Sequence, residues 1–184
     1  MELDVSFFLI YCYNFIGGYM SKIKIMSENL SNKIAAGEVV EKCASVVKEL
    51  VENSIDASAS EIKIELIDSG VKSIRIVDNG SGMDEEDAIM CFEPHATSKL
   101  LSEDDLFNIS TLGFRGEALA SIAAVAQVEL KTRRPDDDLG TYIQINGSKV
   151  EQQEPVACPA GSNFAVKNLF YNVPARKKFL KSLS

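Results

Sequence analysis

Apolar residues recur three and four positions apart in the first half of the chain, which predicts an amphipathic helix over residues 38–56. The apolar positions of this helix are Val39, Val40, Val46, Val47, Leu50 and Val51. A shorter helix is predicted before it, over residues 31–36. Gly37 is expected to end that shorter helix, because glycine favours helix ends.

Strict alternation of apolar and polar residues then predicts strands over 61–68 and 73–78, joined by a turn at Ser69 and Gly70. The pattern further predicts a helix over 84–92, a long loop over 93–116, a helix over 117–125, strands at about 127–133, 140–146, 149–153 and 163–168, and a helix from about Ala175. This order predicts an α+β fold: a two-layer α/β sandwich whose mostly antiparallel mixed sheet is covered by helices on one face.

The chain has 184 residues, enough for one domain with a substantial core, and a formal net charge of −8. This acidity argues against a surface that coats nucleic acid broadly. The basic residues near the end nevertheless occur without any Asp or Glu among them: Lys167, Arg176, Lys177, Lys178 and Lys181. We interpret this basic set either as a solvated helix end or as a patch that binds DNA or a protein partner.

Residues 5–16 are apolar, but they are too few to span a bilayer and lack the basic start of a signal peptide. Because Met20 suits the start of a cytosolic domain, residues 1–19 are interpreted as an extension and residues 20–184 as the domain. The alternative is a hydrophobic arm that packs on a partner. The four cysteines form no CxxC pair and there is one histidine, so we expect no zinc site, free thiols, a cytoplasmic location and no membrane association.

Glu49 and Asn53 lie one helical turn apart, a spacing that suits a general base and a ligand for Mg²⁺. Magnesium keeps several waters and takes further ligands from phosphates, so one protein ligand is sufficient. Lys48, Glu52 and Asp56 are nearby alternatives for these roles, and composition does not choose among them.

Asp78 ends the second predicted strand and is followed by Asn79-Gly80-Ser81-Gly82. A carboxylate fixed at a sheet edge can accept a hydrogen bond from an exocyclic amine such as adenine N6, and the glycines permit close backbone approach. The alternative, which the pentapeptide alone favours, is an ordinary Asn-Gly hairpin turn.

The glycines of residues 113–119, Gly-Phe-Arg-Gly-Glu-Ala-Leu, precede a helix of small residues, where backbone N–H groups could hold a phosphate. The sequence matches neither a Walker loop nor a dinucleotide fingerprint, and the alternative is a simple glycine turn before a helix. Thr97, Ser98 and Lys99 add two hydroxyls and an ammonium that are compatible with phosphate. The single histidine, His95, is expected to be structural or exposed to solvent.

Several segments in this order resemble the ATPase superfamily of gyrase B, a heat-shock chaperone, sensor histidine kinases and MutL, and the MutL mismatch repair branch most strongly. The similar segments begin with Asn-Lys-Ile-Ala-Ala-Gly-Glu-Val-Val-Glu at 32–41 and continue at 44–57, 78–82, 95–99, 111–122 and 168–180. The resemblance covers roughly residues 22–184, and long words in the right order make it specific.

The resemblance implies ATP and Mg²⁺ as cofactors. Glu49 would be the general base for attack of water on the γ-phosphate, and Asn53 would bind Mg²⁺. Asp78 would hydrogen-bond adenine, helped by the Ser162 hydroxyl. The other residues expected to contact the nucleotide are Gly80, Gly82, Thr97, Ser98, Lys99, Gly113, Phe114, Arg115, Gly116, Glu117, Ala118 and Leu119. Bound ATP would order a lid and drive an N-terminal homodimer, with DNA and a mismatch-recognition protein as partners.

The sequence departs from the family at three positions. Cys43 stands where Pro is usual, Pro94 stands where Arg is usual, and Ser162 replaces Thr but keeps the hydroxyl. We expect Cys43 to cost a little stability and Pro94 to affect lid closure.

The chain is also far shorter than MutL proteins. The resemblance implies a second domain, whose lysine would reach the γ-phosphate, and we expect the residues of this sequence not to supply it. We therefore expect nucleotide binding with little turnover. The alternative is a non-hydrolytic module that binds DNA or a partner through the basic set. The ATP-binding domain of a sensor histidine kinase is a third possibility. We disfavour it, because such a domain is expected to follow a phosphoacceptor-histidine domain, and only residues 1–19 precede the fold in this sequence.

Overall fold

The computed structural model describes residues 23–99, 111–113 and 116–181. In chain order the elements are α1 (Glu28–Val39), α2 (Cys43–Asp56), β1 (Ile62–Ile67), β2 (Ser73–Asp78), α3 (Glu85–Met90), α4 (Ala118–Val125), β3 (Gln127–Arg133), β4 (Gly140–Asn146), β5 (Lys149–Val156), β6 (Gly161–Lys167) and α5 (Pro174–Lys181). The residue 1–19 extension lies outside the described residues.

The strands form one sheet in the order β1-β2-β6-β3-β4-β5, and each neighbouring pair of these strands is antiparallel. Along β2, Ile74 and Ile76 are buried while Arg75 between them is exposed. Along β3, Leu130 is buried and Lys131 is exposed. Because one face is buried under helices and the other is polar, the predicted α+β sandwich is confirmed.

The prediction of one helix over residues 38–56 is wrong at its start. Helix α1 runs on to Val39, the chain leaves the helical conformation at Val40 and Lys42, and α2 begins at Cys43. Val40 is fully buried, with φ −110° and ψ 88°. The apolar residues on both sides of this break keep helical spacing, so periodicity alone does not reveal it.

The prediction that Gly37 ends the first helix is also wrong, because Gly37 lies inside α1. A Cβ atom at this position would overlap the guanidinium group of Arg176, which comes from α5. The glycine therefore serves close packing between two helices rather than helix termination.

Strand β1 forms one edge of the sheet, and its predicted apolar face is only partly covered. Ile64 and Leu66 pair with Ile76 and Ile74, so they lie on the helix side of the sheet, yet they are 48% and 50% exposed. Among the helices that the structure describes, none has both the length and the apolar character needed to cross a membrane.

Candidate nucleotide-binding site

The Asp78 carboxylate lies at the end of β2, 7% exposed, under helix α2. Its Oδ1 accepts hydrogen bonds from the backbone N–H groups of Gly80 (2.9 Å) and Ser162 (3.1 Å). Its Oδ2 accepts one from the hydroxyl of Ser54 on α2 (2.9 Å), which shares its single proton with the Leu50 carbonyl oxygen (3.1 Å). These contacts fix the carboxylate from three separate segments, as a site for a directional ligand requires.

A carboxylate offers about four lone-pair positions, two on each oxygen. In Asp78 the two on Oδ1 are used by backbone N–H groups and one on Oδ2 is used by Ser54. One acceptor position on Oδ2 therefore has no donor among these contacts. A neutral amine donor such as the exocyclic amine of adenine would complete the set.

Glycines surround Asp78 at points of close backbone approach. Gly161 has φ +105°, and a Cβ atom there would overlap the carbonyl oxygen of Asp78. A Cβ atom at Gly80 would lie 2.8 Å from the carbonyl oxygen of Ala57, the residue that follows α2. Gly82 has φ +63°, and a Cβ there would overlap the Arg133 carbonyl. These glycines allow close approach of β2 to α2, to β6 and to the end of β3 near the carboxylate.

The hydroxyl of Ser162 contacts Thr132 rather than Asp78. Asp78, Ser162 and Thr132 lie side by side on β2, β6 and β3, and the two hydroxyl oxygens are 3.1 Å apart. Thr132 is fully buried, and its Oγ1 also accepts from the backbone N–H of Met83 (3.0 Å). The sequence reasoning missed Thr132, because strand register brings it to the site and local sequence does not encode that register.

Glu49 is on α2, and its side chain is 23% exposed and thus reachable by water. Lys48 contacts both Glu49 (3.1 Å) and Glu52 (2.8 Å). Hydrogen bonds from Lys48 to Glu52 and then to Glu49 raise the pKa of this lysine. The choice between Glu49 and its neighbours as a base stays a prediction, because both glutamates share one cation and similar exposure.

Asn53 and Asp56, one turn further along α2, contact Lys99. The Lys99 ammonium lies 2.6 Å from Asp56 Oδ2 and 3.2 Å from Asn53 Oδ1. Asp56 also accepts from the backbone N–H groups of Leu112 (3.0 Å) and Gly113 (3.3 Å). Burial of Asp56 acts to raise its pKa, but the hydrogen bonds from Lys99 and the two N–H groups outweigh burial and lower the pKa.

The remaining predicted phosphate contacts fall in two groups. Lys99 N–H donates to Thr97 Oγ1 (3.1 Å), which orders the turn that carries Lys99. Gly116 has φ +62° and packs on the backbone of Ala96, and the following residues, Glu117, Ala118 and Leu119, lead into α4. Ser98, between Thr97 and Lys99, is exposed. Phe114 and Arg115 lie outside the described residues.

Helix α4 begins without a side-chain cap at Glu117. Its first N–H groups have no partners within the helix, which suits a phosphate but also suits water.

His95 is 79% exposed, and its Nδ1 lies 3.3 Å from Glu117, in agreement with the prediction of a histidine facing solvent.

The basic set is partly engaged inside the domain. Lys167 pairs with Glu129 at 2.6 Å, and the guanidinium of Arg176 lies over the ring of Phe170, 5.7 Å from its centre. These contacts favour a structural role for two members of the set over a free DNA-binding patch.

The chemistry of the donor set decides whether Mg²⁺ fits. In the part of the chain that the structure describes, no group of three or more His, Cys, Asp or Glu side chains could hold a metal ion. The Asn53 amide oxygen accepts from the Lys99 ammonium, which is also paired with the Asp56 carboxylate. Once that ammonium moves away, the amide oxygen fits an ion that takes one protein oxygen and fills its shell with water and phosphate.

Comparisons with known proteins agree with this geometry. Residues 41–170 match the family described as Histidine kinase-, DNA gyrase B-, and HSP90-like ATPase. The DNA mismatch repair protein MutL of Phocaeicola vulgatus is 59% identical over 160 residues, which are 87% of this chain and 26% of that protein. MutL of Bacteroides fragilis is 59% identical over 162 residues, 88% of this chain and 26% of that protein. The chain thus spans about a quarter of the length of the curated relatives it matches.

Solved structures give the same result. The N-terminal domain of a DNA repair protein matches with a TM-score of 0.68 at 31% identity, over 82% of this chain and 43% of that one. The Aquifex aeolicus MutL ATPase domain complexed with ADP matches with a TM-score of 0.57 at 31% identity, over 77% of this chain and 48% of that one. The chain therefore belongs to the histidine kinase-, DNA gyrase B- and HSP90-like ATPase family, and within it resembles the ATPase region of MutL.

Proposed function

We propose that this chain binds ATP together with Mg²⁺, as the nucleotide-binding region of a MutL-type mismatch repair protein. The observation that carries the proposal is the Asp78 carboxylate, which is buried, fixed by three protein donors and left with one acceptor position. A donor of adenine type matches this position, whereas guanine presents a carbonyl oxygen in the place of the adenine amine. The similar Aquifex aeolicus MutL ATPase domain was solved in complex with ADP, which supports an adenine nucleotide.

The side chains around Asp78 divide the remaining tasks. Asn53 would hold Mg²⁺, which when bound neutralises phosphate charge. Glu49 would accept a proton from the attacking water, because its carboxylate is accessible and lies one turn before Asn53. The N–H groups at the start of α4, with Thr97 and Lys99, would lie on the phosphate side.

For the longer protein, we propose a nucleotide-dependent N-terminal homodimer that acts on DNA with a mismatch-recognition protein. The support is the name of the relatives, DNA mismatch repair protein MutL, and the extent of their identity to this chain. We propose that hydrolysis is slow and that this chain by itself contributes binding more than turnover.

Calorimetry with non-hydrolysable analogues tests the adenine assignment. With Mg²⁺ present, we expect the ATP analogue to bind and the GTP analogue not to bind. Asp78→Asn replaces an acceptor by an amide that can present N–H groups to the base, so it should weaken ATP-analogue binding at least 10-fold, since a good hydrogen bond to a charged group contributes about 1.5–3 kcal/mol.

Asp136→Asn is the matched control, because Asp136 is an exposed turn residue and loses the same charge. Equal binding of both analogues, or equal loss in both variants, would refute the role of Asp78. Absence of heat with the parent chain would refute nucleotide binding itself.

A further inference from the structure

Lys99 contacts the side chain that would bind magnesium. Its ammonium lies 3.2 Å from Asn53 Oδ1 and 2.6 Å from Asp56 Oδ2. The side chains of Lys99 and Asp56 are 21% and 7% exposed, so the ion pair is largely shielded from solvent. An ion pair in such surroundings is screened less by salt than a surface pair.

The Asp56 carboxylate accepts hydrogen bonds from two backbone N–H groups in addition to its ion pair with Lys99. The backbone N–H groups of Leu112 and Gly113 donate to the same carboxylate, so residues 99 and 112–113 converge on the last turn of α2. A Cβ atom at Gly113 would lie 3.7 Å from Lys99 Nζ and 4.0 Å from Asn53 Oδ1. Residue 113 thus lies directly beside the Lys99–Asn53 contact, at van der Waals distance from both groups.

An ammonium group and Mg²⁺ are alternative partners for one amide oxygen. Magnesium binds oxygen at about 2.0–2.1 Å and demands a nearly octahedral shell of waters and phosphate oxygens. An ammonium that stays about 3 Å from the same oxygen would occupy part of that shell and repel the divalent ion. One of the two cations must leave Asn53 when the other binds.

We propose that Lys99 is an internal cation that competes with Mg²⁺ for the Asn53 amide oxygen, and that Mg²⁺ displaces it when it binds together with the nucleotide. The inference rests on the proposed function, because it concerns the same nucleotide site. Asp56 keeps the displaced ammonium close, so the exchange is a local movement of one flexible side chain. The exchange lowers the apparent affinity for magnesium, since the ion must replace an existing partner.

The test is a Mg²⁺ titration by calorimetry at a fixed, saturating concentration of a non-hydrolysable ATP analogue. Lys99→Met keeps the aliphatic stem and removes the charge, so the Mg²⁺ concentration at half-saturation should fall about 5-fold or more, the usual size of a coupling between two ligands. Lys99→Gln is a second variant with a neutral polar end. Circular dichroism and thermal unfolding establish that each variant is folded.

Two further variants separate the exchange from general electrostatics. Lys48→Met removes the same charge from α2, where that lysine contacts Glu49 and Glu52, and it should leave the Mg²⁺ half-saturation nearly unchanged. In an Asn53→Ala background, Lys99→Met should no longer lower the Mg²⁺ concentration at half-saturation, because that effect depends on the Asn53 amide oxygen.

An unchanged half-saturation in both Lys99 variants, the same decrease in Lys48→Met, or a decrease that persists in the Asn53→Ala background would each overturn the inference while nucleotide binding stands. No analogue binding at any Mg²⁺ concentration would instead overturn the proposed function and this inference with it.

Discussion

Glu49 and Glu52 are chemically alike and nearly equal in their surroundings, which makes them a natural matched pair. Their side chains are 23% and 21% exposed, and both contact Lys48. If Glu49 is the base, Glu49→Gln should lower ATP hydrolysis by about 10²–10⁴-fold, the usual contribution of a general base, while the affinity for the analogue stays within a few-fold. Glu52→Gln should leave both quantities nearly unchanged.

Single-turnover hydrolysis with protein in excess is the measurement suited to a slow ATPase. The same two substitutions at the matching positions of the Phocaeicola vulgatus protein, which is 59% identical over this region, give a second measurement in a longer chain. Equal loss in both variants would assign the effect to the shared Lys48 contact and not to Glu49 as a base.

Sequence reasoning correctly placed Asp78 at the end of an alternating strand. The pentapeptide alone favoured an ordinary turn, and the resemblance pointed to an acceptor for adenine. The structure buries the carboxylate with three donors, and its contact with adenine stays a prediction. Thr132 and the Lys99–Asp56 pair were not predicted as parts of the site. Their contacts join residues 30 and 43 positions apart, and such distances are set by register and packing.

Among the elements, the start of α2 is where sequence and structure differ most. The strands were predictable because alternation at period two is visible in short windows. The break between α1 and α2 was not, because Val39 and Val40 lie before it and Val46 and Val47 lie after it at positions that fit one continuous helix. Only the burial of Val40 and the extended conformation of Lys42 reveal the break.

The conformation at the start of α2 also explains why Cys43, where proline is usual, is expected to lower the stability of the fold. Cys43 is the first residue of α2, and Lys42 before it has φ −150° and ψ 169°, a conformation that a following proline accepts. Cys43→Pro should therefore raise the free energy of unfolding by about 0.4–1 kcal/mol, mainly by restricting the unfolded chain. Denaturant unfolding measures this change, and Cys43→Ala controls for loss of the thiol. A decrease below the alanine variant would show that the ring clashes with the packing beside Gly70.

At the scale of the whole molecule, the first and last described helices, α1 and α5, approach each other closely. The guanidinium of Arg176 on α5 occupies the space that a side chain at Gly37 on α1 would need, and it lies over the ring of Phe170. Helix α1 also packs against α4, whose N-terminus would lie on the phosphate side of the proposed site. The contacts of α1 therefore connect the last described helix with a helix of the proposed site.

Glycine inside a helix usually costs about 0.5–1 kcal/mol relative to alanine, so Gly37→Ala would ordinarily stabilise the protein. Here the new methyl group must displace the Arg176 guanidinium, the flexible end of a side chain, so we expect Gly37→Ala to stabilise the parent chain by less than this. In an Arg176→Ala background the obstacle is gone, and the same substitution should stabilise by about 0.5–1 kcal/mol.

Denaturant unfolding of the four proteins in this cycle should give a coupling of about 0.5–3 kcal/mol, the range for residues in direct contact. Ser31→Ala is the control, because this exposed position on α1 should respond equally in both backgrounds. If the effects of Gly37→Ala and Arg176→Ala simply add, the two helices are not held together through this contact, and the glycine has no packing role.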